Sequence, residues 1–151
     1  MKIGELLKSK DFRHRTLVTI EPKETILAAI QKLNEYDRGS LPVCNSKGEL
    51  AGIITERDIV RKALTLSAAA MRKLRVKDVM STQIIIGSPE DDLSYAIKVM
   101  KEKRIRHLPI VDKLKVIGMI SMRDLLGMRL EECQTEARYL TDYVYGKYRL
   151  I

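Results

Sequence analysis

The feature that most constrains this chain is that it contains one pattern twice. Residues 18–44 (VTIEPKETILAAIQKLNEYDRGSLPVC) align without a gap to residues 85–111 (IIGSPEDDLSYAIKVMKEKRIRHLPIV), at an offset of 67. The next loop is one residue shorter in the second copy, and GIITERD (52–58) then meets GMISMRD (118–124). A solenoid array needs at least three repeats of roughly 20–50 residues, whereas this chain has two longer ones. We therefore expect two similar halves that pack together with pseudo-two-fold symmetry.

Each half begins with a predicted strand and helix. The strands, expected at 16–20 and 83–87, each end two residues before a proline, where a turn begins. Thr25 and Asp92 then stand at N-cap positions. Apolar residues follow them at the i, i+3, i+4 spacing that is typical of an amphipathic helix.

Two short apolar runs come next in each half, LPVC then LAGIIT and LPIV then KVIGMI. A few polar residues separate each pair, which predicts an antiparallel hairpin. The prolines in LPVC and LPIV cannot donate to a ladder, so these strands are expected to be short or at an edge. Second helices are predicted at 56–64 and 122–130. The order in each half is β-α-β-β-α, which makes the fold class α+β.

The domain boundaries follow from this alignment. We place the first repeat at 1–67, the second at 68–130 and a C-terminal helix with its tail at 131–151. A final amphipathic helix is predicted over 131–148, stopping at Gly146, with an apolar stripe that covers the core or a dimer partner. Four tyrosines lie near that stripe: Tyr139, Tyr143, Tyr145 and Tyr148.

Composition limits where such a chain works and what it holds. It is 45% hydrophobic and 32% charged, it lacks an apolar run long enough to span a membrane, and its start is too charged for a signal peptide. We expect a cytoplasmic protein. Cys44 and Cys133 belong to no CxxC pattern, and the sequence shows no cluster with metal-ligand spacing. We expect Cys44 to be a small buried hydrophobe.

The doubled phrase has a structural and a functional interpretation. Thr55 and Ser121 stand where a hydroxyl N-cap is expected, and Asp58 and Asp124 fall three residues later, where a carboxylate completes a capping box. Capping alone accounts for one such phrase. Because the same junction occurs in both halves, each time after a glycine, a repeated ligand site is the second interpretation.

The residue types suit a nucleotide. A carboxylate accepts hydrogen bonds from ribose hydroxyls, and a helix N-terminus favours an anion. Arg57 and Arg123, one residue before each aspartate, can supply charge for a phosphate. Arg106 and His107 precede a strand and add further cationic groups, whereas their first-half counterparts are Gly39 and Ser40.

Three classes of function remain open. The net charge of +8 favours acidic partners, and a nucleic-acid-binding protein is one candidate. The interspersed acidic residues argue against it. A nucleotide-using enzyme is another, although the sequence shows no nucleophile with its base, no P-loop and no GxGxxG. A non-catalytic nucleotide sensor fits the residues best.

GIITERD, GMISMRD, IRHLPIVD, GSLPV and VKDVM together resemble the tandem cystathionine-β-synthase (CBS) domain pair, the Bateman module, from about Ile3 to about Leu130. The resemblance implies two repeats packed sheet to sheet, with two clefts that bind AMP, ADP, ATP, NAD(H) or S-adenosylmethionine without catalysis. It also implies a homodimer and a regulated protein target, which the sequence does not name.

The resemblance also implies the ligand-binding residues of each cleft. Adenine would lie near the backbone of Val18 or Ile84, with Ile53 and Met119 against its face. The cleft with Arg106 and His107 is expected to bind a phosphorylated ligand more tightly. One cleft would join Thr55, Arg57 and Asp58 to Thr82, Ile84, Arg106 and His107, and the other Ser121, Arg123 and Asp124 to Thr16, Val18, Gly39 and Ser40.

Overall fold

The computed structural model describes residues 1–145, and its elements follow the two-fold pattern of the sequence. Gly146 and Tyr148 lie outside the described residues. The α+β class is confirmed. The elements are α1 (Ile3–Lys8), α2 (Ile26–Glu35), β1 (Ser40–Cys44), β2 (Leu50–Thr55), α3 (Glu56–Ala63), α4 (Ala68–Lys73), a 3-10 turn (Val76–Asp78), α5 (Leu93–Lys103), β3 (His107–Asp112), β4 (Lys115–Ser121) and α6 (Met122–Val144).

Both predicted hairpins are present. β1 pairs antiparallel with β2, and β3 pairs antiparallel with β4. Each hairpin carries a register shift at the equivalent place, Val43/Cys44 in one and Ile110/Val111 in the other. The two hairpins meet through an antiparallel bridge between Glu49 and Lys115, so that the small sheets of the two halves adjoin.

The predicted first strands, 16–20 and 83–87, are wrong in extent. Each half shows only a single parallel bridge there, Ile20 to Val43 and Gly87 to Ile110. The Ile20 amide donates to the Pro42 carbonyl at 3.1 Å, and the Cys44 amide donates to the Ile20 carbonyl at 2.9 Å. The next bond of a parallel ladder would need an amide hydrogen from the proline, which has none. The pairing therefore stops after one residue.

The helix starts differ between the halves. The Thr25 side chain accepts a hydrogen bond from the Ala28 amide at 3.1 Å, which confirms that N-cap. Asp92 occupies the equivalent position of α5 but makes no capping hydrogen bond with its side chain. Its carboxylate instead lies 3.1 Å from the Lys2 ammonium. The predicted Asp92 cap is therefore present by position only.

The opening segments of the two halves are exchanged. The Ile3 amide donates to the Asp91 carbonyl at 2.9 Å, and the Val76 amide donates to the Glu24 carbonyl at 2.8 Å. Accordingly, Ile3 and Leu6 are buried in the core of the second half, and Val76 is buried in the core of the first. Each half completes its hydrophobic core with the chain that precedes the other half.

The C-terminal part is one continuous helix. The sequence predicted separate helices over 122–130 and 131–148, but α6 runs without a break because the junction contains neither glycine nor proline. All residues from 130 to 141 are exposed. The predicted stripe, with Leu140 55% and Val144 76% exposed, does not cover the core of this chain. None of the helices in residues 1–145 is long and apolar enough to cross a membrane.

Candidate functional site

The two copies of the doubled phrase form the same local structure. The Asp58 amide donates to the Thr55 hydroxyl at 3.1 Å, and the Thr55 amide donates to Asp58 Oδ2 at 3.0 Å. Ser121 and Asp124 form the matching pair at 3.1 and 2.9 Å. The predicted capping boxes at the starts of α3 and α6 are thus confirmed. Each uses Oδ2 of its aspartate.

A cavity of about 1040 Å³ opens at the junction that begins α6. Four of its predicted residues come from the second half, namely Met119, Ser121, Arg123 and Asp124. Those that face them from the first half are Thr16, Val18, Gly39 and Ser40. The structure therefore brings together the seven residues that the resemblance assigned to this cleft, and Met119, expected against the adenine face, lies with them.

The cavity has a positive lining. Its charged side chains comprise five arginines against three carboxylates, and one histidine lies among them. Charges of one sign along a cleft concentrate ligands of the opposite sign, so the cavity favours an anion. The basic residues are Arg13, Arg15, Arg38, Arg106, Arg123 and His107, and the acidic ones are Asp37, Glu56 and Asp124.

The chain that leads into the first half supplies the mouth of the cavity. The Arg15 guanidinium lies 3.0 Å from Asp124 Oδ1 and 4.1 Å from the centroid of the Phe12 ring. Arg38 Nη2 donates to the Thr16 carbonyl at 3.2 Å and ties this chain to the loop before β1. The mouth is therefore held to both halves of the molecule.

His107 and Gly39 lie close together in the cavity wall. A Cβ added at Gly39 would stand 3.1 Å from His107 Nε2, so glycine permits this approach. Burial lowers the pKa of His107, and the Arg106 charge lowers it further, while Asp124 and Glu56 act in the opposite direction. The net effect is a neutral imidazole at pH 7, which can accept or donate one hydrogen bond.

Ser40 presents an unused polar group in the same wall. It is only 3% exposed, and its hydroxyl has no hydrogen-bond partner among residues 1–145. Buried hydroxyls are normally paired, because an unpaired one costs free energy. The hydroxyl oxygen is shielded from solvent, so a ligand in the cavity can pair with it only after the Ser40 side chain rotates.

The other junction is arranged differently. The Ile53 amide donates to the Ser81 carbonyl at 3.0 Å, and the Ser81 amide donates to the Ile53 carbonyl at 2.9 Å. A Cβ at Gly52 would stand 2.7 Å from Met80 Sδ and 2.9 Å from the Ser81 oxygen. The second half's opening chain is thus pressed against β2.

The assignment of Arg106 and His107 to the Asp58 cleft needs correction, because both line the Asp124 cavity. His107 is the first residue of β3 and pairs with Ser121, and the Arg106 carbonyl accepts from the Met122 amide at 2.8 Å, so both residues lie on that side. The other residues predicted for the Asp58 cleft do not line this cavity, and their role in binding stays a prediction: Ile53, Thr55, Arg57, Asp58, Thr82 and Ile84.

Sequence reasoning missed several residues of the site. Phe12, Arg13 and Arg15 lie on the stretch that the two halves do not share, and Arg38 lies in the loop before β1. One signal was available. The openings IGELL and VKDVM are offset by 73 residues and the following segments by 67, so the first half carries six extra residues. Three of its residues between 12 and 15 are basic.

Comparison with known proteins identifies the family. The profile of the CBS domain matches residues 10–65 and again residues 76–131. The chain belongs to the CBS domain family. CBS domain pairs are regulatory modules, and the fold described above is that of a CBS pair.

Individual relatives support the assignment. An uncharacterized protein of Methanopyrus kandleri is 37% identical over 127 residues, which are 83% of this chain and 61% of that protein. This CBS pair thus spans about three fifths of that relative. A signal-transduction protein with CBS domains from Burkholderia ambifaria, described as putative, has a TM-score of 0.77 and 32% identity, covering 87% of this chain and 95% of the other.

A more distant structure contains ligands. The CBS domain pair of protein MJ0100 was solved in complex with 5′-methylthioadenosine and S-adenosyl-L-methionine. The superposition has a TM-score of 0.70 and covers 87% of this chain and 98% of the MJ0100 chain. At 20% identity, the likeness concerns the fold alone.

Proposed function

We propose that this CBS pair binds an adenine nucleotide, AMP, ADP or ATP, in the Asp124 cavity and acts as a non-catalytic regulatory sensor. The observation that carries the proposal is the cavity itself. It lies between the two repeats, and a positive lining, a capping aspartate and an unpaired serine hydroxyl all belong to it. The CBS pair of MJ0100 holds adenosyl ligands, which supports the ligand class.

Each part of a nucleotide has a counterpart in the lining. The Asp124 carboxylate can accept hydrogen bonds from ribose hydroxyls, as acidic residues do in other nucleotide sites. Val18 and Met119 offer partly buried apolar surface to the adenine ring. Arginines at the mouth can bind phosphate oxygens through two parallel hydrogen bonds. An anion also suits the N-terminus of the 23-residue helix α6.

We infer that the two clefts differ in affinity for a phosphorylated ligand in the order opposite to the one that the sequence favoured. Sequence reasoning gave the tighter phosphate site to Asp58 because Arg106 and His107 were assigned there. Both residues line the Asp124 cavity, so the phosphate-binding groups on which that preference rested belong to the Asp124 cleft. We therefore assign the tighter binding of a phosphorylated ligand to Asp124.

A thermal-shift panel tests the proposal. The ligands are AMP, ADP, ATP, NADH and S-adenosylmethionine, with GTP as the control for charge without adenine. A ligand at about 100 times its dissociation constant should stabilise the folded protein by about 2.7 kcal/mol. We expect stabilisation by adenine nucleotides and a smaller effect of GTP. If no adenosyl compound shifts the melting temperature, the proposal fails.

We also propose that the chain forms a homodimer in the cytoplasm and regulates a separate protein, as the family resemblance implies. Helix α6 offers a surface for pairing, since Leu126, Leu130, Leu140 and Val144 are all more than half exposed. Sedimentation of the wild type and of Leu130→Glu measures the oligomeric state and the contribution of α6 to it. A wild-type monomer at micromolar concentration would contradict the dimer.

A further inference from the structure

Arg15 and Asp124 form an ion pair inside the proposed site. Arg15 Nη1 donates to Asp124 Oδ1 at 3.0 Å. The other oxygen, Oδ2, accepts from the Ser121 amide at 2.9 Å. The Asp124 side chain is 14% exposed, so this pair is partly shielded from water. Each oxygen of the carboxylate therefore has one partner before any ligand arrives, and a ribose hydroxyl that approaches Oδ1 meets the Arg15 guanidinium already bound there.

Arg15 is well placed to take a second position. Its side chain is 40% exposed, and its guanidinium stacks on Phe12, which belongs to the same segment. Both residues lie on the stretch that lengthens the first half. A guanidinium that leaves Asp124 keeps the aromatic contact and lies in a cavity where a phosphate has room.

The second half has no equivalent of this arrangement. At the offset of 67, the counterpart of Arg15 is Thr82, which carries no charge. The ion pair between Arg15 and Asp124 is therefore specific to one cleft, and neither the repeat nor the doubled phrase predicts it.

We propose that Arg15 makes the Asp124 cavity selective for ligands that carry phosphate. In the free protein Arg15 neutralises the carboxylate that the ribose needs. A phosphorylated ligand takes the guanidinium as a partner and releases Asp124 for the ribose. An uncharged nucleoside must displace the guanidinium without offering a replacement, and so binds weakly. This inference rests on the proposed function, because it assumes an adenosyl ligand in this cavity.

Calorimetric titration of the full chain with adenosine, AMP and ATP tests the inference. Arg15→Gln should tighten adenosine about threefold to tenfold and weaken ATP about tenfold, a factor that corresponds to about 1.4 kcal/mol. Arg13→Gln is the matched control: Arg13 lies on the same segment and lines the same cavity, but its Nε donates to His14. It should weaken ATP without tightening adenosine.

Arg15→Lys tests the role of the guanidinium and serves if Arg15→Gln does not fold. It should keep part of the preference for ATP over adenosine, since it retains the charge but not the planar fork. If the Arg15 variants change adenosine and ATP equally, or change neither, Arg15 does not select for phosphate, although the nucleotide site stands. If the wild type binds no adenosyl ligand, the proposed function itself has failed.

Discussion

The two junctions of this CBS pair carry the same capping box, yet the chain that approaches each from the other half differs in length. Twelve residues lie between Leu7 and Ile20, and six lie between the equivalent Met80 and Gly87. The short approach lies flat on β2 through the two Ser81–Ile53 hydrogen bonds. The long approach lines the cavity from Phe12 to Val18.

This difference teaches that two identical helix starts can have unequal surroundings. Most of the second copy of the doubled phrase lines the cavity, whereas Glu56 alone of the first copy does so. The capping bonds agree within 0.1 Å between the copies, so the motif alone does not distinguish them. What distinguishes the clefts is the opposing segment. Its extra residues add Phe12, Arg13 and Arg15 to the Asp124 side.

The largest expected effect comes from removing the carboxylate charge at each junction in turn. Asp124→Asn should weaken ATP about 10- to 100-fold, because a hydrogen bond to a charged group is worth about 1.5–3 kcal/mol. Asp58→Asn is the matched change, since it alters an identical capping box. We expect calorimetry to show little loss of ATP affinity for it. A greater loss with Asp58→Asn would restore the preference drawn from the sequence.

A second comparison concerns the glycines before each junction. Gly52→Ala should destabilise the fold by about 1–3 kcal/mol, because its Cβ would meet the Ser81 backbone oxygen at 2.9 Å. Gly118→Ala would meet Leu7 Cδ2 at 2.9 Å, and that flexible side chain can move. Urea unfolding at constant pH measures both. Equal losses would show that the two approaches are held equally tightly.

The helix starts provide a third comparison. Thr25→Ala should cost about 1 kcal/mol of stability, since the Thr25 hydroxyl caps α2. Asp92→Ala should cost less than about 0.5 kcal/mol, because its ion pair with Lys2 is solvent-exposed and salt-screened. The two urea midpoints measured side by side decide this. A larger loss for Asp92→Ala would mean that it caps α5 in solution.

The smallest expected effect is a pH dependence confined to the Asp124 side. The folded-state pKa of His107 lies below its unfolded value of 6.5, mainly because of burial. Between those two pKa values the unfolded chain binds more protons, so His107 contributes stability above pH 6.5 that is lost as the pH falls below it. His107→Gln should flatten the pH profile of the urea midpoint between pH 7 and 5.

The other histidine supplies the control for that profile. His14 is exposed and lies on the approach segment. If His14→Gln flattened the profile and His107→Gln did not, the assignment to His107 would be wrong. A phosphorylated ligand should also bind more tightly at pH 6 than at pH 7.5, because an anion beside His107 favours its protonated form.

The features that depend on local sequence were predicted correctly. Hairpins, capping boxes and the order of elements follow from side-chain period, hydroxyl caps and the alignment of two copies. The first strands were predicted too long. Pro42 limits the pairing of the strand beside it, and which strand lies beside Pro42 depends on the tertiary structure. Helix α6 was divided at residue 130 because the alignment ended there, although no residue at that point stops a helix.

The site was predicted in part for a similar reason. Pairing Ser121 and Asp124 with Gly39 and Ser40 needed only the pseudo-symmetry of the repeats. Arg15 lies on the longer approach, and its counterpart Thr82 carries no charge, so the symmetry of the repeats does not predict the role of Arg15. Arg106 and His107 were assigned by their chemistry, and the hairpin register places them beside Ser121 instead.

The exchanged openings set the order in which this molecule can assemble. The core of the first half includes Val76, so it cannot close on the ribosome until the chain is well into the second repeat. The core of the second half includes Ile3 and Leu6, so these residues are buried only after β3 and β4 have been synthesised. Proteins with separable domains fold them one after another from the N-terminus. Here each half holds a piece of the other, and we expect synthesis to produce a single late, cooperative folding event.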